Sequence, residues 1–245
     1  MLKSPLAQFD VISVFSLYFR YFEISITNLS ITVLFVLLIG YFLFYVFFVG
    51  HFIPRNWQIV LESIFIFIYR LVFQQLGNKG LVYFPFIFAL FLFILLLNLF
   101  SLLPYGYAVT SHFVWTIYFS LSICLGIFFI GLVNFKIKFL KLFVPEVPLF
   151  LYLLMIPIEL LSYILRSFSL AIRLSANIIA GHILVHILAD FVLVLCKMHK
   201  LIFILPFLLL IAIFVLELGV ACLQAYIFVT LISMYLNDSL HFSHH

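Results

Sequence analysis

The chain has 245 residues, of which 68% are hydrophobic, 20% aromatic and only 8% charged, and its formal net charge is +4. A soluble domain carries roughly 25% charged residues, so with a mean hydropathy of +1.39 the solvent for most of this chain is the bilayer. The charge is too small and dispersed for nucleic-acid binding, and Cys124, Cys196 and Cys222, with no paired or metal-like spacing, read as inert buried thiols.

In chain order, residues 1–28 are mixed and aromatic, with Lys3, Asp10, Arg20 and Glu23 scattered among them. They lack a compact apolar run followed by a small-residue cleavage site, so no secretory signal is expected. A spanning helix needs about 20 apolar residues at 1.5 Å each. Residues 29–49 meet this without a charge and predict one upright span. Residues 56–75 contain Trp57, Glu62, Arg70 and Gln74 at helical spacing among Ile and Phe, which predicts an amphipathic helix lying in the interface. A further span is the alternative there, at the cost of placing Glu62 and Arg70 in lipid. Residues 81–103, closed by Pro104, and 113–135, closed by Lys136, Lys138 and Lys141, predict a two-span hairpin.

Lys and Arg counts orient these spans. Arg55, Arg70 and Lys79 in the first connection and the lysine cluster after 135 place both on the inner side, with the N-terminus outside. Lys197 and Lys200 then fall outside, against the rule. Residues 157–195 predict a helix about 58 Å long and 206–236 one of about 46 Å, both beyond the roughly 30 Å of hydrocarbon. Ordinary tilts near 20° cannot absorb that excess, so a hairpin of two long, steeply tilted intramembrane helices is expected. The class is all-α integral membrane. With no internal repeat or linker, residues 1–245 read as a single membrane domain.

The first long helix carries polar residues at membrane depth. Glu159, Arg166 and Arg173 recur every seven residues and share a face, which Asn177 extends, with Ser162 and Ser169 beside it. His182, His186 and Asp190, spaced by four, form a second stripe about 180° away. An Arg at the bilayer centre costs about 2.5–3.5 kcal/mol, so it is kept only where it faces protein, water or an opposite charge. Arg166 reads as snorkelling near an interface, with Glu159 as an ion-pair partner two turns away or an interfacial residue. Arg173 lies too deep to escape. The His182–His186 spacing suits a proton relay, a shared metal or a hydrogen-bonded pair. On the last helix Glu217 and Gln224 share a face beside small residues Gly219, Ala221, Cys222 and Ala225. In a hairpin, Glu217 would meet the His182 stripe and Gln224 the Arg173 stripe, and carboxylate and imidazole would titrate together.

These residues carry a resemblance. The run from Ser169 through Arg173 and Asn177 to Gly181 and His182 closely resembles the core motif of subunit a of F-type ATP synthase. The run from Glu217 to Gln224 and Phe228 resembles its second motif, and Tyr235-Leu-Asn-Asp238 the mitochondrial C-terminus. Ser4 to Asp10, Asn56-Trp57-Gln58, Leu103 to Tyr105, Thr110 to His112 and Pro157 to Glu159 are also similar to mitochondrial members. Many bacterial members exchange His182 for Glu and Glu217 for His, which fits a facing pair.

The resemblance implies a non-catalytic proton-translocating stator subunit with no cofactor, in the mitochondrial inner membrane. Its partners would be the rotor ring of c subunits, each a hairpin bearing a membrane carboxylate, and other membrane and peripheral-stalk subunits. Two offset half-channels would meet the ring on either side of Arg173. His182, His186, Asp190 and Glu217 are assigned to the half-channel from the intermembrane space and Glu159 to the matrix side, while Asn177 and Gln224 position Arg173. No metal is expected, although His182, His186 and Glu217 are the candidate ligands if one binds. The rivals are a stand-alone transporter, which would show repeats or broken helices, a membrane metalloenzyme, and a structural anchor, which would not need two polar stripes.

Overall fold

In lipid every backbone N–H and C=O must be bonded within the chain, which leaves helices as the outcome for runs this apolar. The computed structural model describes residues 8–19, 22–48, 56–103, 106–136, 149–198 and 203–240. Its helices are α1 (Asn28–Phe48), α2 (Asn56–Leu76), α3 (Phe84–Ser101), α4 (Phe113–Phe135), α5 (Leu149–Met198) and α6 (Ile204–Leu240). Among the described residues these six helices are long and apolar enough to cross a membrane. Val49, Arg55, Pro104, Lys138, Lys141, Lys200 and residues 4–7, all used in the sequence reading, lie outside the described residues.

Local chemistry sets several boundaries. Thr27 caps α1: its Oγ1 accepts from Ser30 N at 3.4 Å while Ser30 Oγ accepts from Thr27 N at 3.0 Å, a capping box with Ser as the return acceptor. Helix α2 ends at Gly77, whose φ of 62° with ψ of −163° is a positive-φ conformation open essentially to glycine. A 3₁₀ turn, Asn78–Tyr83, follows it. It replaces the first turn of the expected 81–103 span, and α3 then starts with Pro85 in its first turn, where the missing N–H costs nothing.

The two long helices outrun their expected bounds. Helix α5 has 50 residues, and begins eight before Pro157. Pro157 therefore sits inside the helix, where it removes one ladder hydrogen bond. Helix α6 has 37 residues and encloses 206–236. At 1.5 Å per residue they measure about 75 and 55 Å along their axes. One element was not expected at all: a two-stranded antiparallel ribbon of β1 (Ser13–Phe19) and β2 (Phe22–Thr27), running from Ser13 opposite Thr27 to Phe19 opposite Phe22. In β2, Phe22, Ile24 and Ile26 alternate with Glu23, Ser25 and Thr27, whereas β1 is mostly apolar and aromatic without alternation.

The chain groups into two compact units, each built from three separate stretches: residues 1–44, 92–112 and 174–225, and residues 45–91, 113–173 and 226–245. In the first unit the buried side chains include Val36, Ile94, Leu97 and Leu174. The second is packed around Ile68, Val72, Ile127, Phe228 and Leu236. There α4 and α5 meet through small hydroxyls, Ser120 Oγ donating to Ser167 O at 2.9 Å and lying 2.8 Å from Ser167 Oγ. Small residues allow such close approach where lipid supplies no hydrophobic drive. Helix α2 buries Ile68, Leu71, Val72 and Leu76 on one face and leaves Arg70 exposed. Gln58 Nε2 donates to Glu62 Oε1 on it at 2.9 Å. Cys124 is buried, Cys222 half-buried and Cys196 exposed, so the expected burial holds for one thiol of three.

Candidate functional site

The first unit contains a cavity of about 340 Å³. Its polar lining comes from three helices: Asn98 and Ser101 of α3, Asn177 and His182 of α5, and Glu217 and Gln224 of α6. Aliphatic side chains such as Leu174 and Val220 complete the wall. Asn98 Nδ2 donates to Ala221 O at 3.3 Å, which ties α3 to α6. Four buried polar atoms that find no hydrogen-bond partner among the described residues belong to this lining: Asn98 Oδ1, His182 Nε2, Glu217 Oε1 and Gln224 Nε2. Each would cost about 1–3 kcal/mol if left dry. A water occupies roughly 30 Å³ and needs two to four polar partners, and this cavity offers both the room and the partners.

Gly181 makes the arrangement possible. A methyl group at that position would overlap the Glu217 carboxyl group, so glycine lets the carboxylate lie against the α5 backbone one residue from His182. The expected meeting of Glu217 with the His182 stripe is therefore present as a shared cavity, without a direct hydrogen bond between the two side chains among the described residues. Asn177 and His182 are about 140° apart around the helix, yet both line this cavity, which wraps α5.

The His182 stripe also divides. His186 and Asp190 do not reach the cavity lining; they pair with each other, Nδ1 to Oδ2 at 3.5 Å, with side chains 44% and 49% exposed. Among the described residues no group of three or more His, Cys, Asp or Glu side chains gathers to hold a metal, so His182, His186 and Glu217 are not assembled as ligands.

The second unit holds Glu159, Arg166 and Arg173, all exposed on α5. Arg166 is not paired with Glu159 in any ion pair among the described residues. Its guanidinium stands over the Tyr235 ring at 5.6 Å from the centroid, and Tyr235 Oη donates to Tyr163 O at 3.1 Å. An aromatic face stabilises a guanidinium without adding a second charge to be desolvated. Arg173 edges an open hollow lined also by Leu165, Phe168, Ser169 and Ile172. Among the described residues its guanidinium makes no hydrogen bond or ion pair. The sequence reading had missed Asn98 and Ser101, whose only signal was two polar residues at i, i+3 in an otherwise apolar run.

Six long apolar helices, with unpaired polar atoms of three of them gathered in one cavity, define a multi-pass membrane protein with an internal polar site. The family model described as ATP synthase A chain matches residues 28–237, and the chain belongs to that family. It is 44% identical to the ATP synthase subunit a of Acanthamoeba castellanii over 248 aligned positions that span all of both chains. It is 42% identical to that of Chondrus crispus, with 98% of this chain and 97% of the relative covered. With the Brassica napus subunit the identity is 38%, over 97% of this chain and 96% of the relative. As a member, the chain is the non-catalytic, proton-conducting membrane subunit of an ATP synthase complex.

Proposed function

We propose that this chain carries protons through two offset half-channels at its contact with a rotor ring of carboxylate-bearing subunits, in the mitochondrial inner membrane, and so couples the proton gradient to ring rotation. The cavity of the first unit is the half-channel from the intermembrane space, with His182 and Glu217 as its proton-carrying groups, Asn98 and Gln224 as water-holding neighbours, and His186 and Asp190 towards its mouth. Glu159 serves the matrix-side path, and Asn177 and Gln224 help to position Arg173. The long helices α5 and α6 lie steeply inclined, and α2 lies in the interface.

What carries the reading is Arg173, a permanent cation on an intramembrane helix that is exposed and has no partner of its own chain among the described residues. Arginine keeps its charge when desolvated, whereas a lysine can lose it. At an effective dielectric near 20, unit charges 4 Å apart attract by roughly 4 kcal/mol. That holds a passing ring carboxylate ionised and still lets thermal motion release it. His182→Ala in the assembled complex is expected to cut proton-driven ATP synthesis by roughly 10²-fold, the lower end of what a positioned acid–base group contributes. Synthesis at the normal rate in membrane vesicles would contradict the assignment.

A further inference from the structure

The connection between α3 and α4 carries a hydrogen-bonded pair that the proton path described above does not use. Tyr107 Oη lies 2.5 Å from His112 Nε2, and the same hydroxyl donates to the carbonyl of Phe9 at 3.2 Å. A phenol has one proton to give. The arrangement that satisfies all three groups runs from His112 Nε2–H to Tyr107 Oη, and from Tyr107 Oη–H to Phe9 O, which assigns the Nε2–H tautomer to His112. Phe9 is held from the other side as well. Asn28 Nδ2 donates to Asp10 O at 3.1 Å, and Asn28 Oδ1 accepts from Ile12 N at 3.3 Å. The segment is thus clamped at two places, on the start of α1 and on the loop after α3.

Between those clamps the Phe9 ring meets His182 edge-on, with centroids 6.2 Å apart and planes at 85°. His182 Nε2 has no hydrogen-bond partner among the described residues, so packing must set the orientation of that imidazole, and Phe9 is the ring packed on it. We infer that Tyr107 and His112 are positioning residues for His182: their hydrogen-bonded chain fixes the Phe9 carbonyl, and the Phe9 ring edge fixes the imidazole in the cavity wall. The inference rests on the proposed role of His182 in proton conduction. Burial holds the His112 imidazole below the ordinary histidine range, and burial, with the Asp10 charge second, pushes the Tyr107 phenol up. Both groups therefore stay neutral at pH 7, and the hydrogen-bonded chain persists. The titratable groups on the surrounding elements are Asp10 on the N-terminal segment, His182 on α5 and Glu217 on α6.

The test measures proton-driven ATP synthesis in vesicles holding the assembled complex, as a function of pH on the proton-supplying side. Tyr107→Phe removes both hydrogen bonds, and Phe9→Leu removes only the ring edge. Each is expected to lower the rate roughly 2- to 10-fold, on the scale of one lost edge-to-face contact, and to move the pH profile in the same direction. The double variant should be no worse than either single one, because both act through one contact. His112→Gln, which keeps an N–H donor, should retain more activity than His112→Leu. A normal rate and profile in Phe9→Leu, which leaves the clamp intact, would overturn the inference, as would additive losses in the double variant. His182→Ala in the same assay separates the two claims: full activity there would overturn the role of His182 itself, and this inference with it.

Discussion

Vesicles carrying Arg173→Ala are expected to make no ATP from a proton gradient and to leak protons passively. Two consequences follow from one lost charge. Among the described residues that line its hollow, the guanidinium is the one cation that could hold a passing carboxylate ionised, the others being Leu165, Phe168, Ser169 and Ile172. Without an attraction of roughly 4 kcal/mol, the carboxylate stays protonated as it passes, and its proton crosses between half-channels without a full turn of the ring. At about 1.4 kcal/mol per factor of ten, that loss is worth on the order of 10³ in the rate of direct proton crossing. ATP synthesis from an imposed gradient and dye-reported passive conductance read the two effects separately. Normal synthesis, or a tight membrane, would each contradict the role given to Arg173.

Glu217→Gln should give the opposite pairing, slow synthesis in a tight membrane. The change keeps size and shape beside Gly181 and removes the titratable carboxyl group. Proton transfer through a positioned acid–base group contributes about 10²–10⁴-fold, so a fall of at least roughly 10²-fold in synthesis is expected. Passive conductance should stay at the normal level, because Arg173 keeps its charge in this variant. A freely leaking membrane in this variant would remove Glu217 from the entry path.

Why some of this was readable in the sequence and some was not has physical causes. Helix α4 came out at its expected bounds, Phe113–Phe135, because His112 and Lys136 flank an uncharged run. Helix α5 was placed too late because Pro157 looked like a start. In a membrane, neighbouring helices can satisfy the carbonyl that a proline frees, so it breaks a helix less often there than in water. The β-ribbon escaped notice because β1, Ser13–Phe19, shows no apolar–polar alternation, and alternation in β2 alone does not mark a strand pair.

At the site, His182, Glu217 and Gln224 were readable because polar residues in apolar helices are costly and so mark themselves. Asn98 was not, since its meaning comes from Ala221, 123 residues away, where only the packing of α3 on α6 brings them together. The Tyr107–Phe9 contact spans 98 residues and was hidden for the same reason. Periodicity places residues on faces. It does not say which faces meet, or that one cavity takes its lining from both Asn177 and His182.

The most direct measurement is the distance from the Arg173 guanidinium to its nearest carboxylate in an experimental structure of the intact complex. The account predicts a ring carboxylate within about 4 Å, the reach of an ion pair. A guanidinium bonded instead to an acidic side chain of its own polypeptide, with no ring subunit beside it, would contradict it.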